Sequence, residues 1–316
     1  MAGLESVKRA QLNVADMIHR TPILSSEQFD LASGNRVYFK AEHLQKTGSF
    51  KIRGAANAVK NAVQAGAASV AAASSGNHGQ AVAYVAKQLG VPAVIVVPET
   101  ASRVKVAAIE SYGAEVVYCG TTSAHRIPKA QQLAAENNGV YIPPYDHEDI
   151  ISGQGTIGLE LLEQVEGLDA ILVPVGGGGL ISGVLAAVKN VNPGIKVIGV
   201  EPEEANDTWL SLQSGRITSI PESFTIADGL RTSQPGAMTF PILQQYLDGL
   251  LLVSEADIKK TFQFLAERTK QLVEPSSAMA AAPLLFGELK GANLKAAVVL
   301  SGGNVDLKEL QAFLPK

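Results

Sequence analysis

A two-lobed α/β fold, with mostly parallel twisted sheets flanked by helices and a small domain inserted in a large one, is predicted by three features of this sequence. Short runs rich in Val, Ile, Leu and Ala alternate with longer stretches of helical period, the pattern of βα units. The short runs show little polar alternation, as expected of strands buried on both faces. The chain has 316 residues, long for one core, and its 46% hydrophobic and 18% charged residues suit two packed lobes.

In chain order the strand candidates are 69–73, 93–97, 115–118, 139–142, 170–175, 196–201, 250–253 and 296–300. Helix candidates are 54–65, 79–89, 102–112, 124–137, 156–165, 180–190, 255–272 and 277–286. Residues 69–146 hold three or four strand-helix units and form the expected small domain. Residues 1–68 and 147–316 form the expected large one, with "YIPPYDHED" as the crossing point. A net charge of −4, with no basic run interleaved with aromatics, argues against nucleic acid as a partner. The single cysteine, Cys119, leaves no disulfide within the chain and no zinc cluster. The opening MAGLESVKRA lacks the apolar core of a signal peptide, and no run approaches a membrane span. A cytoplasmic protein without membrane contact is expected.

The sharpest chemical signal is "ILVPVGGGGLISG". An apolar strand runs into Gly176, Gly177, Gly178 and Gly179, then into an apolar helix. Four bare residues are costly in entropy. They make sense where backbone N–H groups must approach an anion at a helix N-terminus. The spacing matches neither the dinucleotide fingerprint nor a nucleotide P-loop, so a phosphate on a smaller cofactor remains; a tight packing turn is the alternative. In "SSGNHGQ", Ser74, Ser75, Asn77 and His78 cluster at another helix start and could take a carboxylate, or simply cap the helix. "VVLSGGNVD" is a third strand ending in a glycine-rich loop, or a plain turn. Ligands of open α/β sheets sit beyond such strand ends.

In "KTGSFKIRG", Lys51 stands between Phe50 and Ile52. Apolar flanks disfavour the ammonium and free the amine as a nucleophile. With a phosphate cradle elsewhere, the aldehyde it would meet is pyridoxal phosphate. A basic helix start, Lys51 with Arg53, reads equally well from these residues alone.

At these positions the chain resembles fold-type II pyridoxal-phosphate enzymes, the tryptophan-synthase-β-like family, and within it the serine racemase and serine/threonine dehydratase branch. The resemblance runs from "HRTPILSS" through "SFKIRGA", "SSGNHGQA", "GQGTIGLEL", "VPVGGGGLISG", "VEPEEAND", "IADGL" and "EPSSA" to "LSGGNVD". It implies that Lys51 forms the imine with the cofactor and moves protons at the substrate Cα. Phe50 would pack on the pyridine ring, Asn77 bond the ring hydroxyl, and Ser301 face the ring nitrogen. Gly176 to Gly179 and the Leu180 N–H would hold the phosphate. Ser74, Ser75, Asn77 and His78 would receive the substrate, Ser75 as acid/base on the opposite face or as a structural serine of the loop. Arg126 matches an arginine reaching the site from the small lobe, where it could clamp a second carboxylate or be an exposed helix charge. Ser233 matches a serine near the substrate.

Glu201, the Ala205 carbonyl and Asp207 match a divalent-metal loop for Mg²⁺, Mn²⁺ or Ca²⁺; without the resemblance they read as a solvated acidic loop. The implied activity is dehydration of L-serine or L-threonine to pyruvate or 2-oxobutanoate and ammonia. Serine (or aspartate) racemisation and 3-hydroxyaspartate dehydration to oxaloacetate are the alternatives. Arg231-Thr232 after Leu230 and "EPSSA" are less typical of the racemases and shift weight toward elimination. The implied partners are a β-hydroxy amino acid and a second copy of the chain in a homodimer. With the sequence ending at Lys316, feedback through a C-terminal regulatory domain is not expected.

Overall fold

Two separate sheets organise the computed structural model, which describes residues 2–315. The larger has six strands in the order β1-β2-β10-β7-β8-β9, and the smaller has four in the order β5-β4-β3-β6. The larger is built from β1 (Ile23–Ser25), β2 (Arg36–Ala41), β7 (Ala170–Pro174), β8 (Lys196–Pro202), β9 (Gly249–Val253) and β10 (Lys295–Leu300). The smaller comprises β3 (Val70–Ala73), β4 (Ala93–Val97), β5 (Glu115–Tyr118) and β6 (Val140–Tyr141), all contributed between β2 and β7. Among these strands only β1 and β2 pair antiparallel. All eight strands anticipated from apolar runs are present, within a few residues at their ends.

The period of two explains why β7 and β10 lack polar alternation. Ala170, Leu172, Ala296 and Val298 face one core, while Ile171, Val173, Ala297 and Val299 face another. Each face of the sheet is covered by helices, so both sets must be apolar. A third core joins the small sheet to Ile52, Ala55 and Val59 of the helix Lys51–Gln64.

Several elements differ from the sequence reading. β1 and β2 were not anticipated, because "RVYFKA" carries a buried lysine. The helix expected from residue 54 begins at Lys51, the one from 79 at Asn77, and the one from 156 at Glu148. Glycines at 153, 155 and 158 disguise that last helix. They are needed for contact: a Cβ on Gly155 would lie 2.8 Å from the Gly183 carbonyl oxygen of the neighbouring helix Gly179–Val191. The expected helix 255–272 ends as a regular helix at Phe264 and continues as a wide turn, Leu265–Thr269, closed by left-handed Lys270. The expected helix 277–286 is three short pieces starting at Pro275, interrupted near Pro283. The helix Leu4–Val14 was also not anticipated.

A buried ion network locks the Lys51 helix to the large sheet. Arg53, fully buried, donates to Glu42 at 2.8 Å and to Glu160 at 2.6 Å. Lys40, also fully buried, donates to Glu160 at 2.5 Å and to the Thr21 carbonyl at 2.9 Å. Two cations facing two carboxylates leave no net charge without water. Removing one member strands the others, which typically costs about 3–5 kcal/mol. Glu42→Gln should therefore destabilise the protein by about 3–5 kcal/mol in urea titration, and a loss below about 1 kcal/mol would show the network to be solvated.

Candidate active site

The segment before Lys51 is stitched to the loop after β10. Phe50 N–H donates to the Ser301 carbonyl at 3.0 Å, Gly303 N–H to the Gly48 carbonyl at 2.9 Å, and Ser49 bridges Gly302. Left-handed Thr47 and Gly48 turn the chain into this pairing. Lys51 thus starts its helix with Ile52 in the core and its own amine directed across the lobes, where Nζ donates to the Pro144 carbonyl at 2.8 Å. The Phe50 ring centroid is 5.2 Å from Nζ. Burial lowers the Lys51 pKa to about 8, with the Glu274 charge opposing.

The polar loop 74–78 follows β3 of the small sheet. His78 is buried, pairs through Nε2 with the Ile142 carbonyl at 2.8 Å, and its Nδ1 has no partner among the described residues. Burial, aided by Lys51, pushes its pKa down to about 3, so the imidazole is neutral. Ser74 and Ser75 are half-buried beside it. Asn77 crosses to the large sheet, donating through Nδ2 to both Glu274 oxygens at 2.9 and 3.1 Å and accepting from Asn304 Nδ2 at 2.8 Å. Burial and the nearby Asp228 charge raise the Glu274 pKa to about 7.

The glycine run follows β7, and Gly178 adopts a left-handed φ of 89°. A Cβ on Gly177 would lie 2.4 Å from the Tyr145 ring, so the bare backbone here is what admits that ring. Gly177 is held by Thr239 Oγ1, which donates to its carbonyl at 2.7 Å. Beyond it, the first N–H groups of the helix Gly179–Val191 have no partner within the helix. Leu180 is buried, as is Ser182 Oγ, which has no partner among the described residues. Ser301 is buried at the end of β10.

The donor set suits pyridoxal phosphate: a desolvated amine, a bare helix N-terminus for phosphate, and buried polar atoms on Ser49, Thr47 and His78 without partners among the described residues.

The remaining candidates lie further out. Glu201 and Asp207 are both fully buried. Glu201 accepts from the N–H groups of Thr208 and Trp209 at 3.0 and 2.9 Å, and Thr232 Oγ1 approaches Asp207 at 3.3 Å. Burial raises both pKa values, Glu201 to about 8 with Asp207 adding, and Asp207 to about 7. Two desolvated carboxylates beside the buried Ala205 suit a hard cation completed by water. No cluster of three acidic, His or Cys ligands occurs among the described residues. Arg126 is half-buried near Tyr141, bonded to the Thr121 carbonyl at 2.9 Å and Ser123 Oγ at 3.2 Å, with Nε lacking a partner among the described residues. Ser233 is exposed, and its carbonyl accepts from Ile220 N–H; its neighbour Thr232 is the residue that faces Asp207. Glu274, Asn304, Pro144 and Tyr145 also line the site around Lys51, Asn77 and Gly177, without a role legible in the sequence. The first two lay within motifs already quoted, and the last two within the Pro-rich crossing.

The family described as pyridoxal-phosphate dependent enzyme matches residues 14–302. L-threo-3-hydroxyaspartate ammonia-lyase of Saccharomyces cerevisiae is 45% identical, over 96% of this chain and 94% of that protein. Maize serine racemase superposes with a TM-score of 0.94 at 39% identity, covering 98% of this chain and 96% of that one. Serine racemase of Dictyostelium discoideum gives 0.91 at 45% identity, covering 97% and 99%. The chain belongs to the pyridoxal-phosphate-dependent enzyme family. No helix among the described residues is long and apolar enough to cross a membrane.

The lowered Lys51 pKa makes stability pH-dependent. Between about 8 and the ordinary 10.5 the unfolded chain binds more protons than the folded one, so stability rises with pH in that window. Lys51→Met removes this contribution. In urea unfolding of the cofactor-free protein, the variant's stability advantage should shrink as pH rises from 8 to 10.5. A constant difference would mean the amine keeps its ordinary pKa.

Proposed function

We propose that this protein eliminates water from a β-hydroxy amino acid, L-serine or L-threonine, giving pyruvate or 2-oxobutanoate and ammonia. The observation that carries the reading is the Lys51 amine, withdrawn from water and directed between the polar loop of one sheet and the strand-end loops of the other. Pyridoxal phosphate, when bound, supplies an electron sink for negative charge at the substrate Cα. Gly176 to Gly179 and the Leu180 N–H hold its phosphate, Phe50 and Asn77 its ring, and Ser301 its ring nitrogen. Ser301 offers a hydroxyl there, which leaves the nitrogen without a carboxylate to protonate it. Ser74, Asn77 and His78 bind the substrate carboxylate at the start of the helix Asn77–Leu89. Lys51 takes and returns the Cα proton. The neutral His78 places no cation beside it, which keeps the amine free to act as base.

Ser75 supports racemisation as a second outcome, because its hydroxyl lies in the same loop as the carboxylate site and can protonate the opposite face. Arg126 supports a second substrate, 3-hydroxyaspartate, since its unpartnered Nε can meet a distal carboxylate. The relative from Saccharomyces cerevisiae bears that activity in its name. In this reading Ser233 stands outside the substrate site.

A divalent cation on Glu201, Asp207 and the Ala205 carbonyl, a cytoplasmic homodimer, and a small domain of 69–146 within a large one of 1–68 and 147–316 complete the proposal. Neutralising two buried carboxylates is what the cation would contribute.

Cofactor-loaded protein given L-serine, L-threonine and the 3-hydroxyaspartate isomers should release oxo acid and ammonia from at least one. Preference for 3-hydroxyaspartate would select the second substrate reading, and no turnover of any would end the proposal. With Ser75→Ala, D-serine formation from L-serine should fall about a hundredfold or more while elimination persists; parallel losses would remove Ser75 from the opposite face. Chelation should lower the thermal midpoint, and Glu201→Gln should abolish that response. A midpoint indifferent to chelator would refute the cation site.

A further inference from the structure

The Asn77 amide is held by two groups that allow it one orientation. The buried Glu274 carboxylate accepts at both oxygens from Asn77 Nδ2. Asn304 Nδ2 donates to Asn77 Oδ1 and also to the Thr47 carbonyl, both at 2.8 Å, so its own amide is fixed as well. A flipped Asn77 would set its oxygen against the carboxylate and its amino group against that of Asn304, both in part-buried contacts. Glu274 is anchored in turn by its N–H, which donates to the Gly302 carbonyl at 3.0 Å. Gly302 has no side chain to intrude, and a Cβ there would lie 2.8 Å from Glu274 Oε1. The oxygens of one carboxylate sit too close together to take both widely diverging hydrogens of an amino group. One Asn77 N–H is therefore left to point elsewhere. The charged groups that face Glu274 are Lys51, Lys105 and Asp228. None of them bonds Asn77.

We propose that Glu274 is a positioning residue: with Asn304 it locks the Asn77 amide so that a single N–H is presented to an oxygen of the cofactor ring. The inference rests on the reading that Asn77 contacts the cofactor, and it adds how that contact is given its polarity. Glutamine at 274 keeps the shape but can donate or accept, which removes the lock.

The test is pyridoxal phosphate affinity of the cofactor-free protein, by absorbance titration, for wild type, Glu274→Gln, Asn77→Ala and the double variant. Glu274→Gln should bind about tenfold more weakly and shift the visible absorption of the bound cofactor. The double variant should bind no more weakly than Asn77→Ala alone, because Glu274 acts through Asn77. Additive losses, or wild-type affinity in Glu274→Gln, would overturn the inference. If Glu274→Gln fails to melt cooperatively, Asn304→Ala replaces it in the same cycle, with the same non-additivity required. A wild-type protein that does not bind pyridoxal phosphate would instead defeat the proposed function.

Discussion

A primary amine held out of water governs the arrangement around it. An ammonium in an apolar setting is costly unless paired, and among the described residues Lys51 has one neutral carbonyl as its bonded partner. The surroundings therefore keep positive charge away. His78, the nearest titratable neighbour from the small sheet, is neutral because it is buried and faces the same amine. Glu274, the one acidic group acting on Lys51, is itself pushed toward protonation and engaged with Asn77 rather than with the amine. The result is an amine whose pKa is lowered to about 8, held by a carbonyl that can be given up.

Parallel strands explain why so much chemistry converges there. The glycine run leaves β7, the Ser301 loop leaves β10, the turn Glu203–Ala205 leaves β8 just after Glu201, and the Ser74–His78 loop leaves β3, each at a carboxyl end. Ligands of open parallel sheets collect at those ends. Two sheets, one inserted in the other, bring two such ends together, and the Asn77 contacts show them touching. The backbone pairing of 48–50 with 301–303 then fixes Lys51 to the large sheet, while its carbonyl partner, Pro144, belongs to the segment that returns from the small one.

The buried parallel strands were legible because their signal is local: both faces are apolar, so the run itself is apolar. β2 was hidden because Lys40 and Arg36 read as loop residues, and partners distant in sequence, the Thr21 carbonyl, Glu160 and Gln164, make Lys40 compatible with the interior. The first turns of the helix Glu148–Gln164 were hidden by glycines whose reason is a neighbouring helix. The same division holds at the site. Lys51, the glycine run and the 74–78 loop carry their meaning in residue type and spacing. Glu274 and Asn304 carry theirs in partners far along the chain. Ser233 rests on the resemblance alone, while its neighbour Thr232, in an irregular loop, meets Asp207, a partner 25 positions away.

Two kinds of tie join the lobes, and they differ in weight. Lys105 pairs with Asp228 at the rim, with both side chains partly exposed. Such a pair contributes little, about 0–1 kcal/mol, and salt screens it. The Asn77 contacts are part-buried and end on the buried Glu274 carboxylate, so breaking them strips that carboxylate of its amide partner, a larger penalty. Separating the lobes therefore depends on how readily Glu274 and Asn304 release Asn77, and far less on the visible ion pair. Since Asn77 is also the residue proposed to meet the cofactor ring, the contact between the two sheets and the proposed cofactor seat draw on the same amide.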